Sequence, residues 1–366
     1  MNPRPSPDAA APRVLFIPDM ELPYYSLLVG SLRAAGCSVV RASRLPRRGL
    51  FFDTPLSVIH LHMVEIMFCR GRAWHDLFNF LHFLLITTPA LKSRGGRLVW
   101  TCHELTPHEG PRRLAHLFTG ILAHFADEII VHNHTLRHAL PLCFAGARPH
   151  RISFIAHGGL APYYAASTAK AAGGAPPPSL CVFASIGYMR FDKGTDLILA
   201  AFRRIQDPNA RLVVAGVCKD DVYFDQLVRL ADGDDRIRLL RGRLDDDELV
   251  ALHLQAHVAV FGFRDCPTSG SLITALSLGR HVIAPRLGHA AELLRDHEAA
   301  LYDPALPIEG LEKHMREALG DPDLCLARGA RSRLAIATPD WPCIARATLS
   351  VYGLQQSRDD APAAVV

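Results

Sequence analysis

The chain has 366 residues, 49% of them hydrophobic, with 40 Lys and Arg against 36 Asp and Glu for a net charge of +4. That length suits about two domains of ~150 residues, the apolar content excludes a disordered chain, and the small net charge argues against a general nucleic-acid binder. The charge is uneven: residues 1–157 carry 17 basic and 10 acidic side chains, the remainder 23 and 26, so an anionic membrane surface is an expected partner for the first half, with ordinary surface charge as the plain alternative.

Residues 1–12 are Pro/Ala-rich and polar, without an apolar signal core, and read as a disordered lead-in. Arg13–Ile17 is a short strand, Tyr24–Ala35 a helix closed at Gly36, and Ser38–Val40 and Val58–Leu61 are strands. Trp74–Ser93 is a long helix broken near Pro89. Its apolar stretch Leu77–Leu91 is 15 residues long, against ~20 for a spanning helix. It reads either as a buried helix or as one that dips into a membrane interface beside Lys92, Arg94 and Arg97. Strand Arg97–Thr101, helix Arg112–Phe125, strand Glu128–His132, helix Thr135–Leu142 and strand Ile152–Ile155 follow. Near-continuous apolar strands alternating with helices indicate a parallel sheet covered on both faces.

Ala165–Ser179 lacks apolar periodicity and reads as a linker. The alternation then restarts with Leu180–Ile186 and runs to strand His281–Ala284, and a last helix is expected within Asp340–Gln356. The expected organisation is an N-terminal Rossmann-like domain over 13–164, a linker over 165–179, a C-terminal Rossmann-like domain over 180–339, and a helix and tail over 340–366. These would be two doubly wound α/β domains facing across a cleft, with ligands beyond the C-terminal ends of the strands. Nine cysteines stand singly, at 37, 69, 102, 143, 181, 218, 266, 325 and 343. With no Cys-x-x-Cys pair, neither a disulfide framework nor a zinc ribbon is indicated, and a reducing compartment is expected.

Two segments point to a diphosphate. Thr268-Ser269-Gly270-Ser271-Leu272 opens a short apolar helix, where free backbone N–H groups and the positive helix end attract an anion. Ser185–Gly194 is a strand end followed by a loop in which Gly187 and Gly194 frame Arg190 and Lys193. Asp245-Asp246-Asp247 fits a helix cap, with Asp245 as N-cap and Glu248 three residues on.

On these residues the chain resembles GT-B glycosyltransferases. Gly187 to Gly194 is similar to that family's Gly-x-x-x-x-x-Lys-Gly donor-phosphate loop. Ser269 to Leu272, with Gly279 to Ile283, looks like its donor-binding helix and the following strand, and Gly242-Arg243-Leu244-Asp245 resembles the loop near the nucleotide base. Thr101-Cys102-His103-Glu104 is similar to the strand-end His placed beside the donor sugar. Where retaining members carry two Glu residues eight apart, this chain has Cys266 and Thr274. The pattern looks closer to the bacterial exopolysaccharide (xanthan-type) enzymes that add mannose from GDP-mannose to a lipid-linked oligosaccharide, forming a β bond. The resemblance thus implies a nucleotide-sugar donor, a lipid-linked saccharide acceptor, and a place on the inner, cytoplasmic face of the cell membrane.

With no Asp-x-Asp donor loop, metal-independent transfer is expected, with no metal and no cofactor, the leaving diphosphate being neutralised by helix amides, Arg190 and Lys193, and the resemblance implies inversion. His103 is the expected contact to the donor sugar. Glu109 or Asp19 is the expected base for the acceptor hydroxyl. Tyr24 would stack on an acceptor sugar, and His157, before a Gly pair, would approach a ligand. His-Glu-Leu-Thr-Pro-His-Glu does not match a zinc motif, since Pro107 spoils a helical presentation of His103 and His108. The residues also fit two other functions: a sugar-nucleotide epimerase of the same fold, and a catalytically inactive partner subunit.

Overall fold

The computed structural model describes residues 11–43, 56–63, 73–105, 112–171, 174–295 and 297–354. The chain divides into two units, Met1–His157 with Trp341–Val366, and Gly158–Asp340. The expected lead-in lies almost wholly outside the described residues.

The first unit holds β1 (Arg13–Ile17), β2 (Ser38–Arg41), β3 (Val58–Leu61), β4 (Arg97–Cys102), β5 (Glu128–Val131) and β6 (Ile152–Phe154). They form one sheet in the order β2-β1-β3-β4-β5-β6, with every pair parallel. The second unit holds β7 (Cys181–Ile186), β8 (Ala210–Gly216), β9 (Ile237–Arg241), β10 (Val258–Val260), β11 (His281–Pro285) and β12 (Ala300–Tyr302). Its order is β12-β11-β10-β7-β8-β9, again all parallel. Both sheets are therefore doubly wound, as the alternation of elements predicts. Their order reverses between β1 and β3 and between β7 and β10, and it is at such switch points that open sheets bind ligands.

Alternation along β7 shows how both faces are covered. Cys181 and Phe183 join one apolar cluster with Phe202 and Leu227, whereas Val182, Ala184 and Ile186 join another with Ala215 and Ala256. A strand buried on both faces can carry no polar alternation, which is why these segments read as unbroken apolar runs.

Three segments differ from the sequence reading. The expected linker is partly helical: Ala165–Lys170 forms a helix and is tied to the second unit, because Lys170 Nζ lies 2.7 Å from Asp247 and the Leu160 N–H donates to Ser277 Oγ at 2.8 Å. Its small, polar residues give no apolar stripe, so periodicity could not reveal it. The long helix is interrupted: Ala73–His82 passes through a π-helical turn, Phe83–Thr87, into Thr88–Lys92. Phe80 and Phe83 enter the core of the first unit, while Trp74 (85% exposed), Phe78 (67%), Leu81, Leu85 and Ile86 stay in solvent. One face of this helix is thus buried, as the first reading expects, and the other is exposed and apolar. Finally, the helix Trp341–Val351 belongs to the first unit. The Trp341 ring lies 5.6 Å from that of Tyr24, and the Tyr352 hydroxyl lies 2.6 Å from His60 Nδ1.

Candidate functional site

In the second unit, the loop after β7 meets the loop and helix that follow β10. Glycines permit the approach. Gly194 has φ 64°, and a Cβ there would sit 1.9 Å from the Gly262 carbonyl oxygen. Gly216 has φ 142°, and a Cβ there would sit 1.8 Å from the Gly187 oxygen. Two pairs of backbones are thus in direct contact, which only glycine allows. An ion pair fixes the frame. Arg264 donates to both carboxylate oxygens of Asp196, at 2.8 and 2.7 Å, and the Tyr223 hydroxyl donates to the same carboxylate at 2.8 Å. Burial opposes the charge on Asp196, but these donors hold its pKa below the ordinary carboxylate value.

The result is a small pocket lined by Gly187, Tyr188, Met189, Lys193, Phe263 and Ser271. Lys193 Nζ stands 5.1 Å from the centre of the Phe263 ring and 3.8 Å from Asp192. Arg190, the other expected cation, is already engaged: its Nε and Nη2 donate to Asp192 at 3.0 Å each. Part of its charge is therefore neutralised within its own loop.

The helix Gly270–Ser277 contributes Ser271, in its first turn, to the pocket wall. Ser269 caps it, its Oγ accepting from the Leu272 N–H at 3.3 Å. The Ser269 N–H, expected to be free, instead donates to His289 Nδ1 at 3.4 Å. Only the Gly270 and Ser271 amides are left without an acceptor among the described residues. Leu272 is also corrected: its side chain is fully buried in the core and its amide is taken by the cap, so neither part is open to a ligand. The Thr268 hydroxyl donates to the Pro267 carbonyl at 2.8 Å. Arg243 is exposed on the loop after β9. Asp245 and Glu248 form the expected capping box. Thr274 is buried, and burial pushes the Cys266 thiol up to about 11, so it is neutral.

In the first unit, four successive strands each deliver a histidine beyond their C-terminal ends: His62 after β3, His103 after β4, His132 after β5 and His157 after β6. They gather around Tyr24, whose ring centre lies 6.1, 5.8, 5.1 and 4.8 Å from theirs in that order. Trp341 adds a fifth ring. Tyr24 is only 7% exposed. Rings of its own unit surround it, which overturns its expected role as a stacking platform for a sugar. Beneath, His60 is bonded on both ring nitrogens, to Tyr352 at 2.6 Å and Thr101 at 2.7 Å.

Burial, reinforced by the neighbouring histidines, drives these rings to the neutral form. The pKa of His60 falls to about 3, and those of His62 and His103 fall well below the ordinary value. Burial likewise takes His132 to about 4. Its Nδ1 faces the Ile155 carbonyl at 2.8 Å. A carbonyl only accepts, so Nδ1 carries the proton and Nε2 is a bare, buried acceptor without a partner. Asp19 is held by Arg41 in an ion pair of 2.6 Å, so as a base it would have to leave that cation. Glu109, with His108, lies outside the described residues.

Sequence reasoning missed His62, His132, Gly216, Gly262 and His289 as parts of these two clusters. The signal for the histidines was present: His-Leu-His, Thr-Cys-His and Val-His-Asn-His each span the end of a buried-type strand.

Residues 173–335 match the family of group 1 glycosyl transferases. The structure is similar over 93% of its length to 99% of HepE of Anabaena, solved in complex with UDP and glucose, with 14% identity and a TM-score of 0.69. It is similar over 94% of its length to 98% of sucrose-phosphate synthase from Thermosynechococcus elongatus, with 17% identity and a TM-score of 0.69. The fold is GT-B. A third similar structure, from E. coli and described as trehalose-6-phosphate bound with UDP-2-fluoro glucose, has 12% identity, a TM-score of 0.66, and coverage of 95% of this chain and 100% of that one. No curated protein matches the chain in sequence. Among the described residues, no group of His, Cys, Asp and Glu is placed to hold a metal ion, and no helix is long and apolar enough to cross a membrane.

Proposed function

We propose that the protein is a glycosyltransferase whose second unit binds the diphosphate of a sugar nucleotide. The observation that carries this is the pocket beyond β7 and β10, which Lys193 and Ser271 line together, with the Gly270 and Ser271 amides open at the start of the helix. Amides fixed by a helix need no reorganisation as charge develops on the leaving diphosphate, so they stabilise it without a metal. His103 contacts the transferred sugar, and Arg190, Gly187, Ser269 and Arg243 complete the donor loop and its surroundings. The transfer is inverting and metal-independent. Activity is expected to survive EDTA; complete loss restored by Mg²⁺ would overturn the metal-free reading.

The donor in this reading is GDP-mannose and the acceptor a lipid-linked oligosaccharide of exopolysaccharide synthesis. A uridine donor is the second reading, favoured by the UDP and UDP-glucose bound to similar folds. Thermal unfolding with GDP, UDP, GDP-mannose and UDP-glucose separates the two, since a ligand of the folded state raises the midpoint by mass action. Protection by none of them would sink the donor site itself.

The acceptor assignment and a peripheral place on the cytoplasmic face of the membrane draw support from the first unit. Trp74, Phe78, Leu81, Leu85 and Ile86 are exposed along one helix that ends at the exposed Lys92 and Arg94. Such a helix lies in an interface, apolar side down, with cations at the headgroups. Co-sedimentation with vesicles containing anionic lipid is expected to fall sharply for Trp74→Ser with Phe78→Ser; unchanged binding would remove the membrane from this account.

A further inference from the structure

His62 follows β3 and is almost fully buried. Its Nδ1 lies 3.4 Å from Nε2 of His103, with the two rings inclined by 27°. That is long for a hydrogen bond, but such contacts in ligand-free sites commonly tighten when substrate arrives. The other nitrogen of His62, Nε2, is buried and unpartnered. Nδ1 of His103 is bonded to nothing among the described residues, and that ring is half-buried.

Both rings are neutral, so each carries one proton, and one proton lies between the facing nitrogens. If His103 Nε2–H were the donor, His62 Nδ1 would be bare and its only proton would sit on Nε2, a buried N–H with nothing to receive it. If His62 Nδ1–H is the donor, the orphan on His62 is only a lone pair. Orphaned buried N–H groups are much the rarer of the two in folded proteins. His132 nearby follows the same pattern, with Nδ1 protonated against the Ile155 carbonyl and a bare Nε2.

We propose that His62 is a positioning residue: its Nδ1–H donates to His103 Nε2 and fixes His103 as the Nδ1–H tautomer, so that His103 offers its ligand a hydrogen-bond donor and no lone pair. His103 then binds an oxygen of the sugar and does not take the acceptor's proton. The tautomer claim stands on the ligand-free geometry; its meaning for the sugar rests on the function proposed above.

Long-range ¹H–¹⁵N correlation spectra of the ligand-free chain, labelled in its imidazoles and recorded near pH 7.5, read the tautomers directly. His103 is expected to be protonated at Nδ1. In His62→Phe it should shift towards Nε2–H, and in His62→Gln, whose side-chain amide can donate, it should return towards Nδ1–H. Finding His103 protonated at Nε2 in the unaltered chain overturns the proposal even if no variant folds, and so does an unchanged tautomer in His62→Phe. In activity assays, His62→Phe is expected to raise the donor KM roughly 3- to 10-fold, the loss of one neutral hydrogen bond, with His62→Gln recovering most of it. If the tautomer behaves as stated but neither His62→Phe nor His103→Ala changes donor KM, the positioning claim stands and the sugar contact of His103 fails.

Discussion

The two sheets reach their ligand-binding ends by opposite means. In the second unit the proposed site is built from backbone amides and one lysine, and glycines let the backbones around them touch. In the first unit the corresponding groups are side chains, histidines delivered by four strands, of which His62, His103 and His132 are driven to the neutral form by burial. A backbone site is sensitive to any added Cβ and tolerant of most chemistry. A desolvated imidazole site is sensitive to pH.

The largest expected effect sharpens the first half of that contrast. Gly216→Ala would push a Cβ onto the Gly187 carbonyl, and it is expected to destabilise the second unit by roughly 3 kcal/mol or more. Gly233→Ala, which also has positive φ but nothing within 4 Å, should lose only about 1–2 kcal/mol of left-handed strain. Equal denaturation midpoints for the two variants would show that backbone contact is not what demands glycine here. Next, Lys193→Ala is expected to weaken donor binding by ~1–3 kcal/mol, the usual loss of a charge-assisted contact. Calorimetric titration with the protecting nucleotide sugar measures it, and unchanged affinity would refute the phosphate assignment.

The histidine side of the comparison is broken or kept by pH. The folded pKa values of His60 and His132 lie at about 3 and about 4, and those of His62 and His103 are lowered in the same sense. An unfolded histidine titrates near ~6.5. Below that pH the unfolded chain binds protons that the folded chain refuses, so stability must fall as pH drops from about 6.5 towards about 4, and it is insensitive to these groups above 7. Urea midpoints across that range should decline, with a shallower slope for His62→Phe; a flat profile would mean that the cluster is not desolvated. The smallest effect is expected for Ser269→Ala, which loses the N-cap of the helix Gly270–Ser277 at a cost of ~1 kcal/mol. Its donor affinity should change little, because the Gly270 and Ser271 amides remain.

How much of this was legible follows the range of the interaction involved. Helix caps, strand-ending loops and the glycine frame around Lys193 are local, and the sequence displays them. The capping box at Asp245 and Glu248 could be named from spacing alone. What local pattern could not foresee is which groups find partners. Ser269 N–H is taken by His289, twenty residues on. Arg190 spends part of its charge on Asp192. The ring of Tyr24 is surrounded, with Trp341 from the far end of the chain among its neighbours.

The sequence by itself determined two doubly wound parallel sheets and the phosphate-friendly loop and helix of the second, because apolar periodicity and turn chemistry act within a few residues. Only the tertiary structure decided that His62, His103, His132 and His157 form one cluster and that the first three of them are neutral. Their convergence depends on parallel register between strands roughly 25 to 40 residues apart, and their charge state on water excluded by all of them together.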